Sequence, residues 1–188
     1  MLGAPAPPAA APFPQLDHEW EPVRQMLAAH GLNGAAPLLA VHPWTSNPVK
    51  QWPVERFEAL VEAMVSRAYG DVVIIGGPES PRWRMPRAAS GRVMDLTGQL
   101  TLPQLAALLQ RSRLVISNDS GPVHLAAAVG TRTLVLFGAA DSSTGPRRWG
   151  PWGERHVVIA RRTMQAITVD EVLEALDRAL SQTVVTSA

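Results

Sequence analysis

The sequence contains no cysteine, which excludes a disulfide scaffold, a thiolate zinc site and cysteine catalysis. Lysine is almost absent too: of 17 basic residues, Lys50 is the only lysine. Nowhere do about 18 apolar residues run together, the least that a bilayer-spanning helix needs. Nor is charge of one sign in excess. The 17 basic residues face 16 acidic ones, for a net charge of +1. Without a basic surplus the chain does not read as a general nucleic-acid or membrane-surface binder. The N-terminus is apolar but has no basic segment, and prolines interrupt it, so it does not read as a signal peptide. The expected compartment is therefore the cytoplasm. What is present is 188 residues, 46% of them apolar, enough for one ordinary domain with a core.

Residues 1–15 are rich in Pro and Ala and read as an extended leader or linker. Residues 16–188 read as one domain. Leu16, Trp20, Val23, Met26 and Leu27 share one helical face, and Gly31 stops that helix. From there apolar strands alternate with helices. Strands are expected at 38–42, 71–75, 93–96, 114–117, 133–137 and 156–159. Helices are expected at 53–68, 102–110, 121–129 and 169–180, with a weak Arg-rich one at 80–89. The strands are continuous apolar runs such as Leu38 to His42 and Thr133 to Phe137. Such runs belong to a parallel sheet covered on both faces, so the fold class is a Rossmann-like, doubly wound α/β domain. Ligands of such sheets sit beyond the carboxyl ends of the strands, and those ends carry the chemistry to be read.

After the first strand, residues 42–53 form a long loop with hydroxyls at Thr45 and Ser46, then Lys50. Hydroxyls, backbone amides and one compact, rotatable cation suit a phosphate. The alternative is a surface loop anchored by Trp44 and Trp52. After the second strand come Gly76, Gly77, Pro78 and Glu79. A carboxylate in that place accepts hydrogen bonds from ribose hydroxyls; alternatively Glu79 or Ser80 begins the next helix. Thr101 reads as an ordinary helix cap.

The most informative stretch is residues 117–124, Ser-Asn-Asp-Ser-Gly-Pro-Val-His, between a buried strand and a helix. Gly121 lets a ligand approach the backbone. Pro122 suits a first helical turn, where its missing N–H costs nothing. The helix terminus favours an anion, Ser120 adds a hydroxyl, and His124 lies one turn along. The alternative is a capped structural helix with Asp119 as cap and His124 in the core. A serine hydrolase is disfavoured, because Ser120, His124 and Asp119 are neighbours on one short stretch and no nucleophile elbow surrounds the serine. The five histidines are scattered, with no metal-ligand spacing. Two arginine groups, Arg82, Arg84, Arg87 and Arg92, then Arg147, Arg148, Arg155, Arg161 and Arg162, read as solvated faces or as a source of positive potential.

The stretch from Asn118 to Gly138 resembles the signature of glycosyltransferase family 9, the ADP-heptose:lipopolysaccharide heptosyltransferases. The segment from Asp95 to Ser117, the turn from Ile74 to Glu79, and Lys50-Gln51-Trp52-Pro53 are similar to that family in the same order. The resemblance covers about residues 35–180. It implies the C-terminal, donor-binding half of a two-domain GT-B enzyme. Residues 16–34 then correspond to the hinge helix and 35–188 to the sheet and its helices. The resemblance further implies an ADP-sugar as donor substrate, no metal or other cofactor, and inverting transfer in lipopolysaccharide core synthesis. The donor-side residues it implies are Lys50, Glu79, Asp119, Ser120, Gly121 and His124, with Thr45 and Ser46 beside them. The family's general base belongs to the N-terminal half, so no catalytic base is assigned here. In one place the chain departs from the pattern: Trp44 stands where the family has a glycine.

Two classes of function follow. In one, the chain is part of a heptosyltransferase-like enzyme, truncated or working with a separate N-terminal-half protein, without nucleic acid and at most peripheral to the inner membrane. In the other, it is a nucleotide or nucleotide-sugar binding module without catalysis.

Overall fold

The computed structural model describes residues 14–84, 91–138, 145–153 and 155–181. Residues 1–13 of the expected leader lie outside them. The elements are α1 (Asp17–Ala29), β1 (Leu38–His42), α2 (Val54–Ser66), β2 (Asp71–Ile74), β3 (Val93–Asp95), α3 (Leu102–Arg111), β4 (Leu114–Asn118), α4 (Gly121–Ala128), β5 (Thr133–Phe137), α5 (Pro146–Trp149), β6 (Val157–Ala160) and α6 (Val169–Ser181). The six strands form one parallel sheet in the order β3-β2-β1-β4-β5-β6. This is the doubly wound order, in which the chain starts in the middle and winds first one way, then the other.

The continuous apolar strands follow from burial on two faces. Leu39 and Val41 of β1 pack with Phe57, Leu60, Val61 and Met64 of α2 and with Val172, Leu173 and Leu176 of α6. Ala40, between them, joins the other layer, with Val23 and Leu27 of α1, Leu108 and Leu109 of α3, and Ala126 of α4. Alternate side chains of one strand thus enter two cores. Thr101 begins α3 through a capping box. Its hydroxyl accepts from the Gln104 N–H, and the Gln104 side chain accepts from the Thr101 N–H at 3.0 Å.

The expected helix at 80–89 is not formed where its residues are described. Residues 78–80 are a turn, with the Ser80 N–H on the Gly77 carbonyl at 3.0 Å, and residues 81–84 are irregular. Pro81 supplies no N–H, and the Trp83 N–H goes instead to the Asp95 carboxylate at 3.0 Å. That bond turns the Trp83 indole into the core. Residues 85–90 lie outside the described residues. β6 begins one residue later than expected, at Val157.

Two glycines separate packing from access. A Cβ on Gly138, just after β5, would lie 2.4 Å from Met164 Cγ and 2.7 Å from its backbone N. One on Gly121 would meet nothing within 4 Å. Gly138→Ala is therefore expected to destabilise the fold by about 1–3 kcal/mol through overpacking, whereas Gly121→Ala should leave stability within about 0.5 kcal/mol. Urea denaturation of both variants checks this. Equal midpoints for the two would remove the packing argument at Gly138.

Candidate functional site

The strand order reverses between β1 and β4, whose chains leave toward opposite faces of the sheet. A cavity of about 610 Å³ opens there, beyond the strand ends. The loop after β1 and the start of α4 form its walls. Asn118, the last residue of β4, is fully buried and clamps both ends of that loop. Its Nδ2 donates to the Pro43 carbonyl at 2.8 Å, and its Oδ1 accepts from the Trp52 N–H at 3.0 Å. Gln51 adds a bond from Nε2 to the same Pro43 carbonyl at 2.5 Å. Trp52 is itself fixed. It is wholly buried, packs edge-on against Phe57 with ring centres 4.8 Å apart, and donates from Nε1 to the Ile167 carbonyl at 3.0 Å.

One residue further on, Asp119 accepts an ion pair from Lys50 Nζ at 2.5 Å. The carboxylate is nearly buried and the ammonium about one-third exposed. The only lysine of the chain thus spans from the β1 loop to the mouth of α4. An ammonium has three N–H donors; Asp119 takes one, and Lys50 itself lines the cavity. Ser120 is the N-cap of α4, but its side chain does not bond to the helix, and Pro122 lies in the first turn. The Gly121 N–H has no helix carbonyl within reach at that position. Hydroxyl, amide, helix dipole and ammonium therefore converge at one place, the arrangement that binds an anionic oxygen.

Thr45, Ser46, Lys50, Glu79, Asp119, Ser120 and Gly121 all line this cavity, so seven of the eight residues singled out in the sequence meet. Glu79 is exposed in the turn after β2 rather than at a helix start. His124 is not among the lining residues; its side chain lies on the exposed side of α4. Trp44, at the departure from the family pattern, lines the cavity as well. Its indole stacks edge-on against Trp83, ring centres 6.2 Å apart, and sits over Gly76, where a Cβ would be 2.6 Å from it. Gly76 thus makes room for the bulk that Trp44 adds, and the cavity stays open.

Three residues that the sequence reading did not single out complete the site: His42, Ser117 and Asn118. All are buried polar residues at the carboxyl ends of apolar strands, and that placement was the available signal. His42 Nδ1 lies 3.0 Å from Ser120 Oγ and 3.2 Å from Ser117 Oγ. The base that a serine nucleophile would need thus comes from another strand, but no carboxylate among the described residues bonds to His42, so no triad forms. Burial holds the His42 imidazole down to about 4, since desolvation disfavours its cation. A second, more apolar cavity of about 330 Å³ shares His42 and Pro122 with the first and is lined by Ile75, Gly76, Gly77, Leu100, Thr101, Leu102 and Leu105. Among the described residues no group of three or more His, Asp or Glu is placed to hold a metal ion.

Fold and site together define a Rossmann-like α/β domain whose strand ends open on a polar-lined cavity. A family model described as glycosyltransferase family 9 (heptosyltransferase) matches residues 7–175, and the chain belongs to that family. Over 143 residues it is 32% identical to lipopolysaccharide heptosyltransferase 3 of Escherichia coli, covering 73% of this chain and 40% of the relative. Over 147 residues it is 31% identical to lipopolysaccharide heptosyltransferase 1 of Pseudomonas aeruginosa, covering 78% and 39%. Among solved structures, E. coli ADP-heptose LPS heptosyltransferase II is similar with a TM-score of 0.77 at 21% identity, over 94% of this chain and 55% of that one. An E. coli heptosyltransferase solved with ADP gives 0.66 at 20% identity, over 95% and 52%. These structural likenesses show a shared fold. The chain spans about two fifths of the length of these curated relatives. No helix among the described residues is long and apolar enough to cross a membrane.

The His42 imidazole gives the fold an acid sensitivity of known sign. The folded protein takes up this proton only near pH 4, the unfolded chain near pH 6.5. Between those values the unfolded state binds more protons, so stability is fully present above about pH 6.5 and falls as the pH drops toward 4. Urea denaturation at pH 7 and pH 5 should show a loss on the order of 2 kcal/mol from this group. His156, also held down by burial, adds a loss of the same sign. His42→Asn should remove the His42 portion; identical pH dependence in the two proteins would mean that burial does not hold the His42 imidazole below its unfolded value.

Proposed function

We propose that this chain binds the ADP-sugar donor of a heptosyltransferase-like reaction in lipopolysaccharide core synthesis, as the donor-side half of a GT-B glycosyltransferase. The observation that carries this is the meeting of Lys50, Ser120 and the start of α4 over one cavity at the strand-order reversal. Family membership supports it, as does a similar structure solved with ADP. The diphosphate lies against Gly121 and Ser120, with Lys50 across from them and Thr45 and Ser46 on the loop side. The exposed carboxylate of Glu79 accepts from the ribose hydroxyls. The apolar second cavity, flanked by Leu100, Leu102 and Leu105, takes the adenine ring, because a flat, weakly polar base is best held between aliphatic walls. His124, one turn into α4, serves only the rim of the site. No metal is required by this reading.

In the transfer, an acceptor hydroxyl oxygen bonds to the anomeric carbon while the carbon–oxygen bond to the diphosphate breaks. The hydroxyl proton goes to a general base, and the bonding electrons go to the diphosphate. The Gly121 N–H, the Ser120 hydroxyl and the Lys50 ammonium are placed to hold that charge, and α4 points its positive end at it. Asp119 is not a free base, because Lys50 engages it. The acceptor site and the base belong, on this reading, to the N-terminal half of the enzyme, on the same polypeptide or on a separate one, and α1 with its turn is the hinge side of the domain. The reaction takes place in the cytoplasm, at the inner membrane. That the buried carboxylate of the cavity is already paired favours the second reading for these residues acting alone: binding of the nucleotide-sugar without transfer.

Calorimetric titration with ADP is the direct test. ADP should bind, Lys50→Ala and Ser120→Ala should each weaken it tenfold or more, and His124→Ala should weaken it less than either. Filling the second cavity with Leu105→Trp should cost ADP affinity while leaving inorganic pyrophosphate unaffected. No heat with ADP or with other purine nucleoside diphosphates would remove the donor-site reading. Transfer to a lipopolysaccharide-core acceptor should appear only once an N-terminal half is supplied; turnover by the 188 residues alone would overturn the division of labour.

A further inference from the structure

Ser117, Ser120 and His42 form a closed polar cluster with too few protons for its contacts. Ser117 Oγ donates its one proton to the Asn118 carbonyl at 2.8 Å. Ser120 Oγ lies 2.9 Å from Ser117 Oγ, 3.0 Å from His42 Nδ1 and 3.2 Å from the Asn118 carbonyl, yet it too has a single proton. Ser120 also lines the cavity. If His42 Nδ1 is bare, it competes for the Ser120 proton, and the hydroxyl then turns its lone pairs outward. If Nδ1 carries the hydrogen, it donates to Ser120 Oγ, and the Ser120 proton is left to swing between the Asn118 carbonyl at 3.2 Å and whatever occupies the cavity. The hydrogen bond at one ring nitrogen sets the tautomer.

We infer that His42 is a positioning residue of the donor site, held as the Nδ1–H imidazole, which occupies a lone pair of Ser120 Oγ and leaves its proton free to move from the Asn118 carbonyl to an anionic ligand oxygen. The inference rests on the donor-site reading above and adds to it a residue that touches no ligand atom through Nδ1 and acts through Ser120. Burial, which keeps the ring neutral, leaves the tautomer as the variable that matters. Other charged groups at the cavity do not reach Nδ1 by hydrogen bond: Lys50 and Asp119 are bonded to each other, and Glu79 is exposed in the turn after β2. A lone-pair acceptor at Ser120 would repel a phosphoryl oxygen; a hydroxyl whose proton is free to turn toward it attracts one.

Two measurements on the full chain test this separately from the donor-site reading. Long-range ¹⁵N–¹H NMR of histidine-labelled protein near neutral pH should show His42 as the Nδ1–H tautomer; the Nε2–H tautomer overturns the inference whether or not ADP binds. ADP titration then reads the coupling. His42→Leu and Ser120→Ala should each lose tenfold or more, and the double variant should lose no more than about threefold beyond the weaker single one. His42→Asn, which places an N–H donor where Nδ1 stands, should recover most of the His42→Leu loss, and adenosine affinity should change little in Ser120→Ala. Losses that multiply in the double variant, or a His42→Asn protein that folds normally yet binds as poorly as His42→Leu, overturn the inference. Absence of ADP binding to the unaltered protein, with the Nδ1–H tautomer seen, sinks the donor-site reading and leaves the placement of His42 standing.

Discussion

The mouth of this sheet depends on two consecutive side chains, Asn118 and Asp119, at the end of β4. In a doubly wound sheet the two central strands send their chains to opposite faces, and a crevice opens between them. Nothing in the backbone closes it. Here Asn118 reaches across to Pro43 and Trp52, residues at both ends of the loop from the neighbouring strand, and Asp119 takes hold of Lys50 within that loop. Asn118 is fully buried, so loss of its partners would leave polar groups without water or protein to satisfy them. Both its bonds are therefore tied to the position of the loop. Loop and helix terminus are in this way set against each other before any ligand arrives, which is the condition for binding without reorganisation.

The layered fold was legible because two-sided burial writes itself into composition. Strands such as Leu114 to Asn118 and Thr133 to Phe137 are buried at every position, and no half-exposed sheet would produce such runs. The helices were legible where one face is apolar, as in α2 and α6. The segment at 80–84 was misread because its arginines and prolines carry no strong period, and its course is decided by a bond to Asp95 on another strand. Propensity gave way there to a tertiary contact.

The site was legible in its members but not in its pairings. Lys50 and Asp119 stand 69 residues apart, and His42 and Ser120 stand 78 apart. Each pair meets because β1 lies beside β4, and strand order does not show in periodicity. The histidine that sheet topology brings to the cavity is His42, a buried residue closing an apolar strand, while His124, which shares a short segment with Ser120, lies exposed on α4. Trp44 makes the same point through packing: a bulky residue in place of a glycine does not close the cavity, because the compensating glycine, Gly76, lies at the end of a different strand.

The charge arrangement bears on what the site does for a reaction as opposed to mere binding. Lys50 and Asp119 are formally neutral together, and Glu79 adds a negative charge at the edge, so the cavity does not present a strong net attraction for a dianion. Its attraction comes from directed groups: a hydroxyl, an unpaired backbone N–H, the α4 dipole and the uncommitted N–H donors of an ammonium already tethered. Directed donors gain most where charge becomes concentrated on particular oxygens, and on the donor-site proposal that is the diphosphate as its bond to the sugar breaks. A cradle of this kind strengthens along the reaction more than it does on first contact, and only that difference accelerates a chemical step. A cluster of free arginines would have bound the intact donor and the released diphosphate alike. On the same proposal, the single tethered lysine, in a chain that otherwise uses arginine throughout, favours the developing charge over the standing one.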